Sequence, residues 1–265
     1  MAVAYRYDHF RREVLKEELG FRAGPAPGDP FPAFDLETTD GGRVRKSEFV
    51  GKRPVLITLG SVTSPMTASA GPVLKRLYKE FGEDVEFITL YIREAHPGER
   101  YPQPKNFREK LVNGRIYKER DRIPWQVAVD DIEGTLHRSL DSKTNAAYII
   151  DLDGNVAFRS LLSNDYDTLY RALAEVLTMK RGSVGQSEKE IIPIMRGLGE
   201  LYDTLDFAGN GAKKDFFHEM PAMYGLARAA SFFRPLPPLA RVLFTMAGIG
   251  AVAGIAAGVL RRRCY

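Results

Sequence analysis

Short apolar runs bounded by proline or glycine recur through the first two thirds of the chain. Residues 54–60, PVLITLG, form one such run, and residues 85–92 form a second run rich in β-branched and aromatic side chains. Runs of this length between turn-forming residues predict buried strands. Residues 124–129 predict a third strand, and residues 65–81, between the first two runs, have the apolar spacing of a helix.

A hairpin and a closing helix complete this pattern. Residues 147–150 and 156–160 flank the turn Asp151–Asn155, whose Asp-Gly pair predicts a β-hairpin. Residues 166–177 then have helical spacing. Strands that alternate with helices and end in a hairpin predict an α/β fold with a sheet of mixed direction.

The chain before this region predicts an amphipathic helix and a linker. Within residues 5–19 the apolar positions fall on one helical face, and residues 20–30 hold three glycines and three prolines. The helix either lies on its own domain or docks a partner. We assign residues 1–23 to this N-terminal helix and residues 24–178 to the main domain.

The chain after this domain changes character. We assign residues 179–238 to a linker and amphipathic helices, because residues 190–205 have helical spacing and an aromatic, Met-rich stretch follows from Phe216 to Phe233. That stretch is typical either of a segment at a membrane interface or of a small helical subdomain that caps the main core.

Residues 239–265 predict a transmembrane helix with a basic tail. Residues 242–260 carry no charge and are flanked by arginines, and a helix of this length is about 28 Å long, close to the thickness of a bilayer core. Small residues at spacing four predict a helix-packing stripe; they are Gly250, Gly254 and Gly258. The alternative is a buried helix within a complex.

Location and partners follow from this helix. Residues 5–19 are charged where a signal peptide would be apolar. We therefore predict a single-pass C-terminal membrane anchor with the main domain cytoplasmic. A membrane protein or another complex partner is expected to bind the C-terminal helix.

Composition excludes several kinds of site. The net charge is only +4, with 38 basic and 34 acidic residues, so we expect no nucleic-acid partner. The chain has one cysteine, Cys264, which excludes an intrachain disulfide, a CxxC motif and a cysteine metal site. We expect neither a metal nor a cofactor.

Several motifs carry a family resemblance. The segments Pro27–Leu36, Asp40–Val44 and Gly51–Leu56 resemble the opening of redoxins and peroxiredoxin-like proteins. Gly60–Pro65 together with Tyr91–His96 resembles the iodothyronine deiodinase family. The resemblance covers about residues 25–178 and implies a thioredoxin-like fold, with a central mixed sheet flanked by helices.

The resemblance also implies a site. The position matching Ser64 holds selenocysteine in that family, or cysteine in bacterial relatives, and the position matching Ser61 is close to the first member of a CxxC-like pair. The positions matching Glu94 and His96 contribute to the site, and the usual proline before the next strand falls near Thr144. The family reaction removes iodine reductively from an aromatic ring.

Serine changes this chemistry. Its hydroxyl ionises far less readily than a thiol, forms no disulfide and does not cycle with a thiol reductant. At position 64 it instead predicts an N-cap, with Pro65 as the first helical residue. A Ser64–His96–Glu94 arrangement for acyl transfer is an alternative chemistry.

Two functions follow as hypotheses. The first is a membrane-anchored, redox-inactive thioredoxin-fold protein that acts as a binding or structural subunit of a larger assembly, with a degenerate site at the five positions named above. The alternative is a deiodinase-like or thiol-dependent oxidoreductase, active if residue 64 is natively selenocysteine or cysteine, or a pseudoenzyme that binds a small ligand.

Overall fold

The structure is a computed structural model that describes the backbone of residues 5–263 and the side chains of residues 5–251. The strands are β1 (Asp35–Thr38), β2 (Arg43–Arg45), β3 (Val55–Gly60), β4 (Glu86–Tyr91), β5 (Gln126–Val129), β6 (Ala147–Ile150), β7 (Val156–Ser160) and β8 (Gly185–Ser187). The helices are α1 (Glu13–Glu18), α2 (Pro65–Phe81), α3 (Phe107–Arg120), α4 (Thr135–Ser139), α5 (Tyr166–Met179), α6 (Ile191–Ala208), α7 (Asn210–Glu219), α8 (Pro221–Ala230) and α9 (Pro238–Arg263).

The strands form one mixed sheet. Across the described residues their order is β2-β1-β5-β4-β3-β6-β7-β8. Strands β3, β4 and β5 are parallel, whereas β1 and β6 run antiparallel to the strands they flank. Strands β6 and β7 pair antiparallel around the Asp-Gly turn. The predicted α/β sheet of mixed direction and its hairpin are therefore confirmed.

Both faces of the sheet are covered. Along β3, Leu56 packs with α2, α3 and α5 on one face, whereas Ile57 and Leu59 pack with α4 and the β1–β2 region on the other. All six residues of β3 are buried. This burial on both faces explains why the strand is an uninterrupted apolar run rather than an alternating one.

The N-terminal segment differs from its prediction. We expected a helix over residues 5–19, but only Glu13–Glu18 is helical. The residues before it have non-helical backbone because Tyr5 and Tyr7 both lie over the Arg93 guanidinium, with ring centroids 5.2 and 5.3 Å from its carbon. Residues two apart on a helix would point in different directions, so this shared contact excludes a helix here.

Residues after α5 form a helical layer on the main domain. Helix α6 packs against α2, and α7 and α8 pack against α6. Phe216 of the aromatic stretch is buried beside Leu201 and Leu205, whereas Phe217 and Phe232 are exposed. This arrangement corresponds to the predicted alternative of a small helical subdomain that caps the main core.

The predicted transmembrane helix is wrong. Within the part of the chain that the structure describes, no helix is both long and apolar enough to cross a bilayer. Helix α9 runs from Pro238 to Arg263, and its described side chains end at residue 251. Its first turns are also packed on protein, since Val242 and Thr245 are buried. The predicted C-terminal membrane anchor is wrong for the same reason.

The glycine stripe of α9 has no contact to describe. A Cβ added at Gly250 would meet nothing within 4 Å among the described residues. Gly254 and Gly258 lie outside the residues whose side-chain surroundings are described, and Cys264 lies outside the described residues altogether. The partner expected at this helix stays a prediction.

Gly199 allows α6 to approach the start of α9. A Cβ added there would lie 2.2 Å from the carbonyl oxygen of Pro238, which is backbone and cannot rotate away.

We predict that Gly199→Ala lowers the free energy of unfolding by about 1–3 kcal/mol through overpacking. Gly225→Ala on α8, where a Cβ meets nothing within 4 Å, should instead be neutral or stabilise by up to about 1 kcal/mol. Urea unfolding of both variants measures this, and equal effects would contradict the packing.

Candidate functional site

The turn between β3 and α2 places Ser64 at the start of a helix. Ser64 is the N-cap of α2, and its Oγ accepts a hydrogen bond from the Thr67 backbone nitrogen at 3.2 Å, with Pro65 as the first helical residue. The predicted helix start is therefore confirmed. The end of β3 lies close to the first turn of α2, because a Cβ added at Gly60 would lie 2.7 Å from Cγ2 of Thr67. Glycine at position 60 lets the end of β3 pass directly under the first turn of α2.

The Ser64 hydroxyl is also fixed by the loop before β6. Its Oγ donates to Oδ1 of Asn145 at 2.8 Å, and the Thr67 hydroxyl donates to the same oxygen at 3.1 Å. The Asn145 amide nitrogen in turn donates to Oγ1 of Thr144 at 2.8 Å. The structure thus links Ser64 to Thr144 through Asn145, a residue that the sequence did not single out.

Glu94 lies beneath the turn rather than beside Ser64. Its carboxylate accepts from the Thr63 hydroxyl at 2.7 Å, the Tyr91 hydroxyl at 2.5 Å and the Asn113 amide at 3.1 Å. Burial raises the pKa of Glu94, and the hydrogen bonds from Tyr91, Thr63 and Asn113 oppose that rise. Glu94 therefore anchors the turn to the end of β4 and to α3.

Ser61 has a supporting role as well. Its Oγ accepts from the Ala95 backbone nitrogen at 3.3 Å, and its own backbone nitrogen donates to Oγ1 of Thr67 at the same distance. Only 1% of Ser61 is exposed. Its side chain ties the turn to the segment after β4 and does not line the cavity described below.

His96 is a buried, neutral imidazole. Its ring packs against both Phe10 and Phe216, with centroids 4.5 and 5.5 Å away. Burial lowers the pKa of His96 to about 3. Its Nδ1 is buried and has no hydrogen-bond partner among the described residues. A buried polar atom without a partner is unusual in a folded protein and is a position at which a ligand or water can bind.

A cavity of about 250 Å³ opens over the turn. It is bounded by the turn and the loop before β6 on one side, and by the N-terminal segment, α6 and α7 on the other. Ser64, His96 and Thr144 of the predicted site line it, whereas Ser61 and Glu94 do not. Most of the other lining side chains are apolar; they include Phe10, Val14, Leu15, Met66, Leu162, Leu198, Leu201, Phe216 and Met223.

The serine hydrolase alternative is not assembled. The hydrogen bonds of Ser64 go to Asn145 and Thr67, and the carboxylate of Glu94 is occupied by the residues beneath the turn. In the described part of the chain, no three His, Cys, Asp or Glu side chains are placed to hold a metal ion. The hydrogen bonds of Ser64 and Glu94 are therefore not those of a Ser–His–Glu triad.

Sequence reasoning missed much of the cavity wall. Phe10, Glu18, Asn145 and Phe216 all line the cavity but are far apart along the chain. The apolar positions in residues 5–19 and the aromatic stretch near residue 216 signalled burial, yet neither signal says which surface each segment covers.

The buried imidazole makes stability depend on pH. Because the pKa of His96 is about 3 in the fold and 6.5 when exposed, its contribution is present above pH 6.5 and lost as the pH falls toward 3. We predict that the unaltered protein loses about 2 kcal/mol more between pH 7.5 and 5.0 than His96→Gln does. Urea unfolding at both pH values measures the difference, with exposed His9→Gln as control. An equal loss in His96→Gln and the unaltered protein would contradict a neutral His96.

Comparison with known proteins bears on the same region. Peroxidoxin BcpB from Mycobacterium tuberculosis, a solved structure, is 18% identical with a TM-score of 0.45, and the match covers 58% of this chain and 98% of that one. Type II iodothyronine deiodinase of Neoceratodus forsteri is 28% identical over 152 residues, which are 48% of this chain and 54% of that protein. Thyroxine 5-deiodinase of Gallus gallus is 33% identical over 155 residues, 52% of this chain and 57% of that protein.

The chain spans about half the length of the curated relatives it matches. A family model described as iodothyronine deiodinase matches residues 25–124, which include the turn, Glu94 and His96. The resemblance read from the motifs is thus confirmed. The chain carries a thioredoxin-like domain, and its residues 25–124 are related to the iodothyronine deiodinases.

Proposed function

We propose that this chain binds a small aromatic molecule in the cavity over Ser64 and does not carry out thiol or selenol chemistry at that position. One observation carries the proposal. The cavity opens on the residue at which the deiodinase resemblance places the reactive atom, and that residue is a serine hydrogen-bonded to Asn145. The place for a ligand is kept while the nucleophile is absent.

The cavity wall supports an apolar ligand of modest size. Ligand pockets usually measure about 300–1,000 Å³, so a cavity of about 250 Å³ suits one substituted ring better than two. Phe10 and Phe216 stack with centroids 5.2 Å apart and provide aromatic faces. The named relatives include thyroxine 5-deiodinases, which motivates an iodinated aromatic ring as the first ligand to test.

Ile194 allows a matched test. It lines the cavity from α6 with 41% of its surface exposed, whereas Ile191 on the same helix is 76% exposed and does not line it. We predict that the Ile194→Trp side chain fills part of the cavity and weakens ligand binding at least about tenfold. The ligand is whichever of 4-iodobenzylamine, 4-iodobenzyl alcohol and 4-iodobenzoate binds the unaltered chain most tightly. Ile191→Trp should leave the dissociation constant unchanged.

The measurement is isothermal titration with 4-iodobenzylamine, 4-iodobenzyl alcohol and 4-iodobenzoate. Absence of binding by all three compounds to the unaltered chain would overturn the proposed function. Equal weakening by both tryptophan variants would show that the compound binds elsewhere.

A second candidate, an oxidoreductase, is favoured by the position of Ser64 at the N-terminus of a 17-residue helix. A thiolate placed there would be stabilised by the Thr67 backbone nitrogen and the helix dipole. If residue 64 is natively selenocysteine or cysteine, the site would suit reductive dehalogenation. An aryl iodide would then exchange its iodine for hydrogen, iodide would leave, and a dithiol would supply two electrons and become a disulfide.

Ser64→Cys tests this second candidate. With dithiothreitol as reductant, we predict iodide release from an iodinated aromatic compound by Ser64→Cys at a rate measurably above that of the unaltered chain. Ser61→Cys is the control, because Ser61 is equally buried but does not line the cavity. Iodide is measured with an ion-selective electrode. Equal release by the two cysteine variants, or release by neither, would argue against the oxidoreductase.

A further inference from the structure

The charged groups in the cavity wall are all acidic. Glu18 and Glu190 line it, and among the described lining residues there is no lysine or arginine. His96, the remaining titratable lining group besides Tyr7, is neutral because burial lowers its pKa to about 3. An apolar cavity with carboxyl groups and no cation in its wall favours a positively charged ligand over a negatively charged one.

Glu18 has an unused acceptor. Its Oε2 accepts from the Thr144 backbone nitrogen at 2.9 Å, but its Oε1 is buried and has no hydrogen-bond partner among the described residues. Burial raises the pKa of Glu18, which is the expected response of a carboxyl group without a cationic neighbour in contact. An ammonium group beside Oε1 would both satisfy this oxygen and favour its ionised form.

Two cations, Arg93 and Lys143, act on Glu18 through space, and no hydrogen bond joins either of them to its Oε1, while Nε and Nη2 of Arg93 also have no partner among the described residues. The Arg93 guanidinium donates to the Tyr5 carbonyl oxygen at 2.8 Å, and the Lys143 ammonium donates to the Glu17 carbonyl oxygen and pairs with Asp141 at 3.3 Å. Both cations lower the pKa of Glu18 through space. Neither lines the cavity. They therefore oppose the rise that burial causes in the pKa of Glu18, and Oε1 stays without a hydrogen-bond partner among the described residues.

Aromatic faces beside the carboxyl group suit the same ligand. Tyr7, Phe10 and Phe216 line the cavity, and their π faces attract organic cations. We infer that the ligand of this cavity is a small apolar amine, an aromatic ring with one ammonium group, whose charge is bound by Glu18. This inference rests on the proposed function, because it specifies the chemistry of the ligand in the same cavity.

Three compounds that share one iodinated ring separate the charge from the apolar contact. At pH 7.5, 4-iodobenzylamine is cationic, 4-iodobenzyl alcohol is neutral and 4-iodobenzoate is anionic. We expect the amine to bind at least about tenfold more tightly than the alcohol, and the benzoate not to bind measurably. This ranking is measured by isothermal titration on the full unaltered chain and needs no variant.

Glu18→Gln tests the residue itself. It keeps the size of the side chain and an oxygen for the Thr144 nitrogen but removes the charge. We expect it to weaken amine binding at least about tenfold and to change alcohol binding less than about twofold, which also shows that the cavity is intact. Glu13→Gln on the same helix, where the side chain is 51% exposed, should change neither.

Each outcome decides between the two proposals. If the alcohol or the benzoate binds as tightly as the amine, or if Glu18→Gln leaves amine binding unchanged, the cationic ligand is overturned and the proposed function stands. If none of the three compounds binds to the unaltered chain, both fail. If Glu18→Gln does not fold, the ranking of the three compounds on the unaltered chain still decides.

Discussion

The buried carboxylate of Glu94 is the interaction on which the site depends. It joins the turn after β3, the end of β4 and the middle of α3 through hydrogen bonds from Thr63, Tyr91 and Asn113. A carboxylate taken out of water is costly unless its oxygens are satisfied, and removing the carboxylate would leave all three donors without their acceptor. The turn is therefore held in one geometry from below, which leaves its upper surface free for other contacts.

Those other contacts come largely from outside the region that matches the deiodinase family model. The N-terminal segment contributes Phe10 and Glu18, and the helical layer contributes Leu201 and Phe216, whereas the family model spans residues 25–124. The floor of the cavity thus lies within the region that the family model matches, and much of its wall lies outside that region.

The sequence predicted the inner strands well and the edges poorly. Strands β3 and β4 are short runs buried on both faces, and such runs are distinctive in a sequence. Strands β1 and β2 have four and three residues with exposed charges at Asp35 and Arg45, so their pattern resembles a polar loop. Helix α3 was missed for a related reason, since one of its buried positions is a lysine, Lys110.

In the site, too, contacts between sequence neighbours were predicted and contacts between residues far apart in the sequence were not. The N-cap at Ser64 depends on neighbours in the sequence and was predicted, whereas the contact with Asn145 joins residues 81 positions apart. The membrane-spanning prediction rested on a run without charges, and it is contradicted within the described residues, where no helix is long and apolar enough to cross a bilayer.

The N-cap at residue 64 has a consequence for how this chain compares with catalytic relatives. Serine is among the best residues for starting a helix, and a good cap contributes about 1 kcal/mol. Replacing a reactive chalcogen by serine at this position therefore incurs no penalty in folding and is favourable for the helix itself. Selection for helix stability alone would therefore favour serine over a chalcogen at residue 64.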